Sequence, residues 1–483
     1  MKTFIRFIAL ILALVSVSTI ALADDATTPE GHIHFYWQEA EEVDNTTVPY
    51  GIYPDMAMAD FWKYGEPDIY EILMTKDEVA LYNADLIAKY ENTDCVQIEL
   101  VTGLPRYEFH VIDTKADITG IDQNAMIATY EAGREVLPEM RYAVATTRCN
   151  ITEWPCSDVF GFNPDMYPDV FNYLSAMNIN DPFVVTEKCT VNGHVFYYGR
   201  SKNTSGWVDG DFIAICSSKD EWLDSWQVDI NARDFIVVTR DRFVTEVMLS
   251  QEETDEVELF MGTVLKEVPR DELVRWYGER NGSWYNHVVW LPCRNTDGSY
   301  YKVMALIPWN RDVSLGYMDL TKANILDIAF NQLGNRFGWG CSLKGYDAAG
   351  YVNIVYRVFG FDFPRYAVQQ RFQMQKYYDL TGMNAKEKHN FLMNCPIGTI
   401  FYLKGRYEGL IIGREKKIVY IIHDVDLLSC DDGPLDIRKM RDVIVSTFEV
   451  RRSNGNTFEE ECIGVCIPWE FEPTGTALSD LPF

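Results

Sequence analysis

Between Thr321 and Arg371 the chain runs helix, glycine-rich loop, helix, and that order narrows the folds open to it. Thr321 is a fitting N-cap, Leu326, Phe330 and Leu333 share one face, and Gly334 stands where a C′ residue belongs. The loop carries Phe337-Gly-Trp-Gly-Cys341 and then Gly345-Tyr-Asp-Ala-Ala-Gly350. Val352, Val355, Tyr356 and Phe359 give the i, i+3, i+4, i+7 stripe of a second helix, predicted to begin near Asp347 and to end before Gly360. Such a layout presents one side chain at the second helix's N-terminus, where the helix dipole favours negative charge. That side chain is Ala348, whose methyl has no chemistry to offer.

From Gly398 the period switches to strands: Thr399–Leu403, Leu410–Ile412, Lys417–Ile422 and Asp442–Val445. Helices followed by an antiparallel sheet make this last domain α+β. Upstream, from Arg141 to about Asn310, short β-rich runs alternate with turns such as Asn192-Gly193, which predicts two consecutive small antiparallel barrels. Between Asp55 and Gly103 the pattern is helical, with a capping box at Thr75-Lys-Asp-Glu78 leading into Val79, Tyr82 and Leu86. At 483 residues there is room for about three domains at roughly 150 residues each.

Met1 to Ala23 reads as a secretory signal peptide: Lys2 and Arg6, an apolar Phe7–Ile20 core, then Ala21-Leu-Ala23. The apolar run is short of the roughly 20 residues that span a bilayer, and no later stretch is long enough. The mature chain is therefore expected to have no integral membrane segment and to be secreted, periplasmic or held in the cell envelope. A net charge of −29 argues against nucleic acid as a partner. The eleven cysteines include no C-x-x-C pair and the seven histidines are scattered, so no metal is expected, and the residues call for no cofactor. In an oxidising compartment some cysteines should pair, although an odd count leaves at least one out.

Several landmarks resemble the NlpC/P60 family of cell-wall cysteine peptidases, in the subgroup with two bacterial SH3 domains. They are Leu333-Gly-Asn-Arg-Phe-Gly-Trp-Gly-Cys341, Gly345-Tyr-Asp-Ala-Ala-Gly350, Phe363-Pro-Arg365 with Gln369-Gln370, and the lead-in Gly316 to Ile325. Thr146 to Pro155 resembles the start of the first SH3-like domain, and Phe61-Trp62 with Leu73–Ala88 resembles the N-terminal stabilising domain. The resemblance implies an α+β multidomain chain. After the signal peptide (1–23) come a helical stabilising domain (24–140), SH3-like β-barrels at 141–228 and 229–318, a papain-like NlpC/P60 domain (319–470) and a tail (471–483).

In such peptidases a cysteine at the helix N-terminus attacks the peptide carbonyl, a histidine serves as its base, and a third polar residue orients that histidine. The resemblance places Ala348 at the nucleophile, Arg406 or Tyr407 at the base, and His423 at the third position. Ala349 stands where serine is common, and Tyr366 where an acid often holds the substrate's amino terminus. Trp339, Asp347, Ala349 and Tyr366 are expected to line the cleft. Cys341 lies seven residues before Ala348, in the loop, and is expected to fill a glycine position or join a disulfide. The implied function is a γ-D-glutamyl-diamino-acid endopeptidase homologue without hydrolysis, binding a peptidoglycan stem peptide or a protein partner. An active cysteine peptidase working through atypical residues is the alternative.

Overall fold

A computed structural model describes residues 52–90, 123–156, 172–248, 254–277, 285–405, 407–429, 437–452 and 454–472. The expected signal peptide, Cys95, Arg406, Cys430 and the tail beyond Glu472 lie outside them. No helix among the described residues is long and apolar enough to cross a membrane.

Helices come first: α1 (Ala59–Lys63), α2 (Lys76–Tyr90) and α3 (Gln123–Gly133). The reciprocal capping box forms at α2, with Thr75 N donating to Glu78 Oε2 at 2.7 Å and Glu78 N to Thr75 Oγ1 at 3.3 Å. The first two helices share the last domain's core. Trp62 and Tyr82 belong to the same buried cluster as Tyr356 and Phe361, and the rings of Trp62 and Tyr420 lie 4.9 Å apart. Each buried aromatic contributes about 1.5–3 kcal/mol here.

A seven-stranded antiparallel sheet follows. It comprises β1 (Arg134–Ala145), β2 (Cys149–Thr152), β3 (Tyr173–Met177), β4 (Pro182–Val191), β5 (His194–Arg200), β6 (Ser205–Asp209) and β7 (Ile213–Ile215). The order is β3-β2-β6-β5-β4-β1-β7. β1 begins ahead of the expected boundary at 141, and β3 and β7 stand as the two edges, so this region is an open ladder where a closed barrel was expected. Register breaks between Val136 and Arg141 and between Val185 and Glu187 bend it. α4 (Lys219–Trp226) then buries Trp222, whose Nε1 donates to Ala143 O at 2.8 Å.

The next region has β8 (Phe235–Val238), β9 (Arg242–Met248), β10 (Thr254–Phe260), β11 (Val264–Lys266), α5 (Arg270–Tyr277), β12 (Asn286–Arg294), β13 (Tyr300–Pro308) and β14 (Val313–Leu315). It forms two sheets, β10-β9-β13-β12 and β11-β8-β14, joined by an isolated bridge between Glu267 and Val289. This too departs from the expected closed barrel. The reason lies in β8, which is buried on both faces: Ile236 and Val238 serve this region's core, while Phe235 and Val237 serve the last domain's. A simple barrel wall has one face turned outward.

The last domain matches its pattern. α6 (Lys322–Phe330), α7 (Ala348–Arg357), α8 (Ala367–Gln373), β15 (Tyr377–Asp379) and α9 (Ala385–Leu392) precede β16 (Ile400–Leu403), β17 (Tyr407–Glu415), β18 (Ile418–Ser429) and β19 (Ile437–Thr447). α10 (Phe458–Glu461) and β20 (Cys462–Cys466) complete a sheet ordered β15-β20-β16-β17-β18-β19. Val352, Val355 and Tyr356 turn α7 onto that sheet, and Tyr356 Oη donates to Gly398 O at 2.6 Å. Among the described cysteines, Cys149, Cys189, Cys216, Cys293, Cys341, Cys395, Cys462 and Cys466 are free thiols, so the expected pairing is not met among these eight.

Candidate functional site

The N-terminus of α7 is held by its own cap. Asp347 Oδ1 accepts from Gly350 N at 2.9 Å and Oδ2 from Gly340 N at 3.0 Å, satisfying one helix donor and one loop donor. Arg365 forks onto both carboxylate oxygens at 3.0 and 2.6 Å, and its Nε donates to Ser175 Oγ on β3 at 3.1 Å. One buried ion pair thus ties the helix, the glycine loop, the Phe363-Pro-Arg365 segment and the first sheet together. The loop presses on β3 so closely that a Cβ at Gly340 would lie 2.1 Å from Tyr173 O, and Gly340 also sits at φ +58.

Between the first sheet and the last domain lies a cleft of about 730 Å³. Trp339, Asp347, Ala348, Ala349, Tyr366 and Tyr407 all line it, so the structure gathers the expected cleft residues around the helix N-terminus. His423 stands behind this wall, 6.0 Å from the Tyr407 ring and 5.3 Å from Phe458. It is fully buried, with Nε2 at 2.7 Å from Ser446 Oγ and no hydrogen-bond partner at Nδ1. Burial lowers its pKa to about 3, so the ring is neutral at physiological pH.

Tyr407 and Glu408 illustrate the strand period. Tyr407 packs with Phe458 and His423, whereas Glu408 alternates to the side of Leu410 and Ile412, beneath α7. Glu408 is fully buried; that burial first, and then the negative charge of Asp347, push its carboxyl well above the usual range.

Cys341 does not line the cleft. It borders a separate cavity of about 60 Å³, and Arg365 donates to its Sγ at 3.4 Å. Its backbone is left-handed, φ +58, in keeping with a glycine position, and burial raises its thiol pKa. Further lining groups carried no sequence signal, among them Tyr173 and Leu174 from β3, Val368 from α8, and Arg452 and Phe458, which pack over Tyr407 from the β19–α10 connection and the start of α10. Among the described residues lining the cleft, none is Ser, Thr, Cys, Lys or His.

The two buried titratable groups predict opposite pH slopes. The folded state refuses a proton at His423 that the unfolded chain accepts, so its contribution is intact above about pH 6.5 and is lost as pH falls through about 3. Glu408 binds a proton more tightly when folded, so its contribution is lost as pH rises above 4.5. His423→Phe should therefore flatten the acid limb, recovering about 2–3 kcal/mol at pH 4 relative to pH 7. Urea unfolding at both pH values checks this, and an unchanged difference between them would count against it.

No family model and no curated protein matches the sequence. Among solved structures, the chain is similar to an NlpC/P60 endopeptidase from Photobacterium damselae subsp. piscicida, with a TM-score of 0.62 at 12% identity. That likeness covers 84% of this chain and 95% of the other. An NlpC/P60 family protein from Bacillus cereus aligns with a TM-score of 0.44 at 14% identity, covering 68% of this chain and 99% of that one. The mixed helix-and-sheet architecture is thus an NlpC/P60 endopeptidase-like fold, and the likeness reaches well beyond the last domain.

Proposed function

We propose that this protein is a secreted homologue of NlpC/P60 cell-wall endopeptidases that binds a peptide in its cleft without cleaving it. One observation carries the reading: the cleft has its helix, cap and walls, but a methyl stands at the helix N-terminus and a phenol lines the same cleft at the base position. Covalent catalysis needs a nucleophile within hydrogen-bond reach of a base, and Ala348 with Tyr407 supplies neither. His423, with Nδ1 unpartnered behind Tyr407, fits the orienting residue of a lost imidazole. The two antiparallel regions are proposed to be SH3-like modules, the first of which sets the cleft's outer wall through Glu153, Tyr173 and Leu174.

The test is a muropeptide digest alongside calorimetry on purified protein. Binding heat with no released product is the expected result. Cleavage by the unmodified protein would overturn the non-hydrolytic reading, and its survival in Cys341→Ser would place the chemistry at a centre other than that thiol.

A further inference from the structure

We infer that the cleft prefers an extended, uncharged peptide segment with bulky apolar side chains over a carboxylate-rich stem peptide. The inference rests on the reading of the cleft as a binding site and specifies its ligand.

The walls are mostly apolar, although the carboxylates of Glu153 and Asp347 also line them. Phe337, Trp339, Tyr366, Val368, Tyr407 and Phe458 line a space of about 730 Å³, within the size of ordinary ligand sites. The cationic groups there are already committed. Arg365 spends its fork on Asp347 and its Nε on Ser175. Arg452 donates to Lys404 O at 2.7 Å, stands 3.7 Å from Glu461 and lies 5.8 Å from the Tyr407 ring centroid. A ligand carboxylate entering the cleft would lose water and find no unoccupied guanidinium fork, a cost an uncharged segment avoids.

The apolar surface also continues outside. Val368 lines the cleft and is 37% exposed, and Phe372, four residues on along α8, is 77% exposed. Residues at i and i+4 share one helix face, so the two form a ridge running about one turn, roughly 5.4 Å, beyond the cleft. A small molecule confined to the cleft would leave Phe372 in water. A peptide with one apolar anchor in the cleft and a second on the ridge covers both, and burial of the second anchor adds affinity.

Calorimetry on the full chain separates the outcomes, using acetyl-Phe-Ala-Leu-Ala-Phe-amide and a stem tetrapeptide containing γ-linked D-Glu as probes. The capped apolar peptide is expected to bind at least about tenfold tighter, and its Kd to move less than about twofold between 50 and 500 mM NaCl. Phe372→Asp and Val368→Asp should each weaken it about tenfold. Circular dichroism should be unchanged, because neither side chain is core. Tighter binding of the stem tetrapeptide overturns this inference and leaves the binding function standing. Binding of neither probe removes both. Full affinity in Phe372→Asp overturns the ridge as part of the site.

Discussion

Arg365→Leu is expected to cost about 3–5 kcal/mol of folding stability, the largest loss from a single side chain in the site. The guanidinium is 2% exposed and donates to both oxygens of Asp347, to Ser175 and to Cys341 Sγ. Removing it leaves Asp347 partly buried without a counter-charge, although that carboxylate still accepts from Gly340 and Gly350. Arg365→Lys should recover little, because an ammonium cannot fork onto two oxygens while reaching Ser175. Replacing both partners, Arg365→Leu with Asp347→Asn, should cost less than the two single changes summed, since neither charge is then stranded. Urea unfolding of the four proteins decides the matter. A single-variant loss below about 1 kcal/mol, the range of exposed pairs, would show that the pair is not holding the site together.

The second large effect is a gain. Ala348→Cys combined with Tyr407→His is expected to raise muropeptide hydrolysis about 10²-fold or more above Ala348→Cys alone, the usual worth of a positioned base. Residue 348 is already the first residue of a ten-residue helix, where the dipole lowers a thiol's pKa. Residue 407 lines the same cleft, and His423 with its unpartnered Nδ1 stands behind it to orient a new imidazole. Ala348→Cys with Glu408→His is the control, because position 408 turns to the opposite face of β17. Equal rates in the two double variants would refute the assignment of position 407 to the base.

Much of the last domain was legible in the chain because its signals are local. The stripe Val352, Val355, Tyr356 and Phe359 made α7, Asp347 made its cap, and the residues from Thr399 onward fell into short continuous apolar runs, as strands buried on both faces do. The glycine at 340 was legible as punctuation. Its reason, the close approach of β3 carbonyls, was not, because that contact joins residues far apart in sequence. The barrels were the clearest departure. Turn-separated strands predicted closure, but Phe235–Val238 packs against two cores at once, and the neighbours that bury a strand's second face lie outside its own pattern.

By itself, then, the sequence determined the chemistry missing at the helix N-terminus: Ala348 has no nucleophilic atom in any fold. Only the tertiary structure decided what stands around that methyl. It brought Tyr407, Tyr366, Phe458 and Arg452 to one cleft, set His423 behind the wall and Glu408 beneath the helix, and closed Arg365 on Asp347. The division follows from range. Capping and periodicity are set within a few residues, whereas a cleft's lining depends on which distant strands pair and in what register, and a one-residue shift sends every side chain to the other face.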